Sequence, residues 1–125
     1  MGIRLLAIVI GGGLGSAVRY LASLLGWRLF GPGFPVATLA VNVAGCLLIG
    51  VAFALAETRG AMSPVTRLFV MTGFLGGLTT FSTFALETVD YAHVSSLAVA
   101  ALNVLLSTAG GLAAVVAGLW LGRAL

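Results

Sequence analysis

The residues best suited to chemistry in this 125-residue chain lie between positions 73 and 84, where Gly73, Gly76 and Gly77 are followed by Thr79, Thr80, Ser82 and Thr83 and framed by Phe81 and Phe84. They sit in the middle of an apolar run, Leu68 to Tyr91, long enough to cross a bilayer. Glycines and hydroxyl residues there break a helix where an irregular backbone must be shielded from lipid. If both half-helices end near 76–80, carbonyls of one and amides of the other converge, as at ion sites in discontinuous membrane helices. Hard oxygens suit a small cation. One break offers about two of them, and two identical breaks on a two-fold axis double the number. A second reading stands beside it with equal weight: a glycine-kinked packing contact whose hydroxyls bond back to the helix. Phe81 and Phe84, three apart, share one face of a resumed helix. Their ring edges carry partial positive charge, enough to stabilise a small anion without trapping it, and Thr80, Ser82 and Thr83 add hydroxyl donors. Two aromatics in a helix interface are the commoner outcome of that spacing.

Other polar residues stand alone in apolar surroundings. Asn42 is expensive in mid-membrane unless its amide is satisfied, which makes it either a functional group or a clasp between helices. Asn103 and Ser107 fall one turn apart and can line one polar track or serve packing. Arg19, a full charge inside a span, must snorkel or find a partner, drawing anions into a vestibule or holding a loop by its carbonyls. Glu87 lies one turn beyond Phe84, at a pore mouth or as an interfacial charge. There is no nucleophile–base pair, no cluster of metal-ligating side chains and no phosphate loop, so the reading is not an enzyme.

These residues need elements of membrane length to position them. With 61% hydrophobic and 7% charged residues and 18 glycines, the composition is that of an integral membrane protein. The positive residues are six arginines scattered along the chain, a pattern of interfacial anchors that excludes a nucleic-acid footprint. The apolar runs predict four transmembrane helices at roughly 5–26, 36–56, 67–91 and 96–121, the third broken near its middle, in a single all-α membrane domain over 1–125. The first run is read as a retained helix, for it lacks a small-x-small cleavage site. Residues 27–34 carry turn chemistry with aromatic and Arg anchors, and Ser63 with Pro64 reads as an N-cap followed by a first helical residue. Cys46, the one cysteine, packs as a small hydrophobe. Small residues at Gly11 and Gly15, Ala40 and Ala44, and Gly118 and Gly122 permit close helix approach, within one chain or between chains. Four helices scarcely enclose a water-filled path alone, so an oligomer is expected.

Three segments resemble the Fluc/CrcB family of fluoride channels: Gly76 through Phe84 in the third span, Gly12 through Arg19 and Tyr20 in the first, and Thr38 through Gly45 in the second. The likeness covers the chain in length and span order. It implies an antiparallel, inverted dimer with two pores, each lined by both subunits, that passes fluoride passively out of the cytoplasm across the bacterial inner membrane. By the same likeness Phe81 and Phe84 line the pore, and Asn42 reaches toward it. Backbone carbonyls of Gly76 and Thr79 hold a structural sodium ion (Na+) at the dimer centre, two from each subunit. Ser82, Thr83 and Ser107 fall on the polar track beside the phenylalanines, while Asn103 departs from members that carry tyrosine at its position. Weak-acid entry as HF and ionisation inside would load a cell in acid surroundings, and an anion path lets the membrane potential drive fluoride out.

With both termini on one side, Arg4, Arg59, Arg67 and Arg123 share that side and Arg28 lies opposite. A positive-inside reading then gives a cytoplasmic N-terminus, whereas an inverted homodimer needs both orientations. A heterodimer with an oppositely oriented homologue is the alternative to a homodimer. A small proton-coupled multidrug exporter shares four helices and a dimer but requires a membrane-embedded carboxylate, and no Asp or Glu lies in mid-span here. A non-conducting assembly subunit would use the glycines for packing alone.

Overall fold

Each apolar run becomes a long helical rod in the computed structural model, which describes residues 1–125 except for the side chain of Arg59. α1 (Gly2–Phe30) and α2 (Val36–Arg59) are joined by a short turn. The third rod is composite: α3 (Pro64–Arg67), a π-helical stretch (Leu68–Leu75) and the single turn α4 (Gly76–Leu78) run on into α5 (Phe81–Val94) across two extended residues. α6 (Leu97–Ala124) closes the chain. Four segments, Gly2–Phe30, Val36–Thr58, Pro64–Val94 and Leu97–Ala124, have the length and apolarity to cross a membrane. The chain is thus an all-helical, multi-pass membrane protein.

The helices outrun the apolar stretches by up to about a turn, because the backbone ladder continues into the interface where side chains are already polar or amphipathic. The expected turn over 27–34 therefore begins late. Trp27 to Phe30 complete α1, and the chain reverses at Gly31, whose φ of 66° suits glycine and whose N–H caps the Trp27 carbonyl at 3.0 Å. Ser63 is the N-cap of α3, its Oγ accepting from the Thr66 N–H at 3.1 Å, and Pro64 follows as first helical residue. Ser96 caps α6 in the same way through the Val99 N–H at 3.2 Å.

α1 packs along the π stretch and α4, α2 along α6, and α5 against α6. Both principal seams are made backbone to backbone. A Cβ on Gly11 or Gly15 would run into the carbonyls of Phe69 or Phe74, and one on Gly118 into the Leu47 carbonyl of α2. Close approach at small residues gives dispersion contact that larger side chains would prevent. The glycine stripes of α1 and α6 are therefore spent within the chain, while Ala40 and Ala44 stay exposed. Near one end, the Arg67 guanidinium pairs with Glu57 at 2.9 Å and lies 5.4 Å from the Phe53 ring centre, tying α2 to the start of the third rod.

The buried core is small, centred on Val41, Leu75 and Leu78. Leucines, valines and tryptophans such as Leu21, Leu112, Val116 and Trp120 point outward. A bilayer makes that arrangement stable, since lipid tails accept apolar side chains without cost.

Candidate functional site: a pinned interruption beside an aromatic and hydroxyl furrow

Thr79 and Thr80 leave helical geometry, with φ, ψ of −82°, 156° and −152°, 116°. Each of the paired threonines finishes one helix end. Thr79 returns to the preceding turn, its N–H and its Oγ1 both donating to the Leu75 carbonyl at 3.1 and 2.9 Å. Thr80 is the N-cap of α5, its Oγ1 accepting from the Thr83 N–H at 3.2 Å and donating to Thr83 Oγ1 at 3.0 Å. Asn42 then holds the exposed peptide groups from α2. The Thr80 N–H donates to Asn42 Oδ1 at 2.7 Å, and Asn42 Nδ2 donates to the Thr80 carbonyl at 3.0 Å. An amide side chain reproduces here the two-way pairing of a neighbouring strand, and this satisfies two backbone groups that would each cost several kcal/mol if left bare in hydrocarbon.

Which carbonyls lose their partners follows from these bonds. In an uninterrupted α-helix the Thr80 N–H would close on the Gly76 carbonyl and the Thr83 N–H on that of Thr79. Both donors are diverted, one to Asn42 and one to the Thr80 hydroxyl.

The interruption borders a furrow of about 480 Å³ between α2, the third rod and α6. Asn42, Gly76, Thr79, Phe81, Phe84 and Ser107 all line it, with Cys46 and Thr108 beside them. The rings of Phe81 and Phe84 lie 5.5 Å apart, tilted by 50°, and Phe81 is 79% exposed. Phe81 is thus largely uncovered, where a core aromatic would be buried. Ser82 is exposed on the same helix, 3.3 Å from Thr80 Oγ1, and Thr83 is occupied in the cap.

The remaining candidates lie apart from the furrow. Asn103 is 1% exposed, bonded to Thr88 and Ser107. Glu87 borders a second cavity of about 500 Å³, shared with Asp90, Tyr91 and Thr38. Its Oε1 accepts from Thr38 Oγ1 at 2.8 Å, and its buried Oε2 has no partner among the described residues. Over that cavity Tyr91 Oη–H holds the Pro32 carbonyl at 2.9 Å. Arg19, half-buried on α1, accepts the Ser23 hydroxyl with its carbonyl at 3.0 Å, and its guanidinium makes no hydrogen bond or ion pair among the described residues.

Thr38 and Thr88 escaped the sequence reading, and Thr80 entered it only as one hydroxyl donor among three, although it is the residue on which the interruption turns. A signal existed. Thr38 lies one turn before Asn42 and Thr88 one turn after Phe84, the spacing that puts polar groups on one helix face.

Four apolar spans, the third interrupted beside a largely apolar furrow that Asn42, Thr79, Thr80 and Ser107 edge with polar groups, define a multi-pass membrane protein. The family model described as "CrcB-like protein, Camphor Resistance (CrcB)" matches residues 6–119. A protein of Paracoccus denitrificans (strain Pd 1222) named "Fluoride-specific ion channel FluC" is 48% identical over 120 residues, covering 96% of this chain and 94% of its own length. Proteins of the same name from Agrobacterium fabrum and Maridesulfovibrio salexigens are 45% and 41% identical over 121 and 120 residues, covering 97% and 96% of this chain and 97% and 95% of their own. The chain belongs to the CrcB family.

Proposed function

We propose that this protein is a fluoride-selective channel that lets fluoride leave the cytoplasm passively across the bacterial inner membrane. The observation that carries the reading is the furrow, lined by Phe81, Phe84 and hydroxyl residues beside a pinned helix interruption, in a chain whose relatives bear that name. Phe81 and Phe84 present ring edges to the ion, and Ser107 supplies a hydroxyl within the furrow, while Ser82 lies on α5 beyond its lining and Thr83 keeps its hydroxyl in the cap of that helix. Asn42 keeps the interruption open, and the N-terminus of α5 adds a favourable dipole for an anion. Ring edges and hydroxyls replace part of the water shell without a fixed cation that would hold the ion in place.

The third span acts as a helix broken at membrane depth, and two copies meet there antiparallel. The diverted donors at Thr80 and Thr83 support this, because they deprive the Gly76 and Thr79 carbonyls, like those of Gly77 and Leu78 between them, of their usual helical partners. Two from each copy make the four-oxygen site for a structural sodium ion. Arg19 and Glu87 stand toward the approaches, where Arg19 raises the local anion concentration and Glu87 marks the far mouth.

Fluoride efflux from liposomes containing the purified protein tests the reading, with chloride-loaded liposomes and a Phe81→Ile variant alongside. Fast fluoride efflux, little chloride efflux and a large loss in the variant are expected, and no fluoride flux from folded protein overturns it. Charge asymmetry favours a second assembly. Arg4 and Arg67 share one groove at the end of the bundle opposite Arg28, which favours one orientation, and in that second assembly the partner is an inverted homologue in place of another copy. Terminal tags mapped from both membrane sides decide: two orientations support the homodimer, a single one the heterodimer.

A further inference from the structure

Asn103 is the largest fully buried side chain of the protein, and the hydrogen bonds through it run in one direction. Ser107 Oγ–H donates to Asn103 Oδ1 at 3.4 Å, Asn103 Nδ2–H to Thr88 Oγ1 at 2.9 Å, and Thr88 Oγ1–H to the Phe84 carbonyl at 2.7 Å. Thr88 sets that order. A hydroxyl has one proton, and Thr88 spends it on Phe84, so only an acceptor is left for Asn103. The amide must therefore turn its NH2 toward α5 and its oxygen toward Ser107, which settles an orientation that atom positions alone leave open.

Both ends of this chain lie on residues that line the furrow, while its middle is closed to it. A threonine bonded to the carbonyl four residues back often bends its helix, and the acceptor here is the carbonyl of Phe84, whose ring lies 5.5 Å from that of Phe81. Successive bonds of one direction polarise and strengthen one another. The long link is the one at the furrow: the Ser107 hydroxyl, held at 3.4 Å, turns toward an arriving anion more easily than the two shorter bonds break.

We propose that Asn103 is a positioning residue, acting through Thr88 to set the backbone at Phe84 and hence the angle of the Phe81–Phe84 pair, and that it does not itself meet the ion. What the pair does rests on the fluoride-channel reading; how it is held does not. The Thr88 back-bond is of the kind Thr58 makes to Ala54 at 2.7 Å; what is particular here is that its acceptor carbonyl belongs to an aromatic residue lining the furrow.

The test uses the full chain with 4-fluorophenylalanine at position 84, purified in detergent, in Thr88→Val, Thr88→Ser, Asn103→Leu and Asn103→Leu/Thr88→Val forms. The 19F resonance of the ring is expected to move in Thr88→Val and Asn103→Leu, to move no further in the double variant, and to return in Thr88→Ser, which keeps the hydroxyl. In liposomes, fluoride turnover per folded protein falls about tenfold in either single variant and no further in the double, the scale expected when a positioned group is misplaced. An unmoved resonance in folded Thr88→Val overturns the inference, as does a multiplicative loss in the double variant. If the parent protein passes no fluoride, the channel reading fails by itself and the resonance alone decides this one. Should Asn103→Leu not fold, the Thr88→Val and Thr88→Ser pair carries the test.

Discussion

The third rod is held on its two flanks by opposite means. Toward α1 it is dry and close: Gly11 and Gly15 meet the backbone of Phe69, Phe74 and Leu78, Gly73 and Gly77 meet that of Gly11 and Gly12, and a lone Ser16 hydroxyl reaches the Gly77 carbonyl at 3.4 Å. Toward α2 and α6 it is polar, with Asn42 on Thr80, Thr38 on Glu87 and Asn103 on Thr88. The first flank works by shape, through dispersion that any added methyl disrupts. The second works by matching donors to acceptors. Ridges and grooves would hold a continuous helix in place, but only hydrogen-bonding side chains can take up the peptide groups that an interruption sets free. Chemistry accordingly gathers on the polar flank, and the glycine flank supplies a rigid wall against which the interruption is kept.

Removing the polar flank's main bond is expected to have the largest effect. Asn42→Leu strips both partners from the Thr80 peptide groups, a loss of about 3 kcal/mol or more and of conduction. Thermal unfolding in detergent together with fluoride efflux checks this, and a variant that keeps both would mean the interruption is held by its own caps. Replacing sodium by potassium comes next. The proposed sodium site, loaded to a hundred times its dissociation constant, would contribute about 2.7 kcal/mol, so melting is expected to fall by several degrees, and equal melting in both salts refutes that proposal.

Gly15→Ala attacks the dry flank, for its Cβ would press on the Phe74 carbonyl and stand 2.8 Å from the Leu78 nitrogen. Overpacking there costs about 2 kcal/mol and lowers melting without altering the fluoride-to-chloride ratio of the folded fraction. A changed ratio would show that the wall takes part in selection. Smallest is Gly13→Ala, two positions away with nothing within 4 Å, expected to change melting by under about 0.5 kcal/mol equivalent. A larger loss would place Gly13 against a second copy.

Much of this was legible beforehand, and the reasons are physical. Length and apolarity of a run decide membrane crossing, so four spans could be counted from composition, and Ser63-Pro64 marks a helix start whatever surrounds it. The run of glycines and hydroxyls from Gly73 to Thr83 announced itself as ill suited to an unbroken membrane helix, whereas Phe81 and Phe84 are ordinary in such a helix and were singled out by their shared face and the family resemblance. The π-helical stretch over Leu68–Leu75 was not legible, since its residues are ordinary helix-compatible hydrophobes and only the close bed of α1 glycines accompanies it. The glycine spacing likewise did not choose its partner, because a stripe of small residues fits a helix of the same chain and one of another equally well.

The sequence by itself determined that the chain crosses a membrane several times and which polar side chains had to be accounted for, and it left its third crossing open between an interruption and a glycine-kinked packing contact. Tertiary structure alone decided how they are satisfied. Asn42, a functional group or a clasp on sequence grounds, grips Thr80 through both of its polar atoms. Asn103, one turn from Ser107, faces inward to Thr88 rather than into the furrow. A side chain's type sets what it must bond to, but the distance between helices sets what it can reach, as where Gly45, three residues from Asn42, leaves room for Thr79.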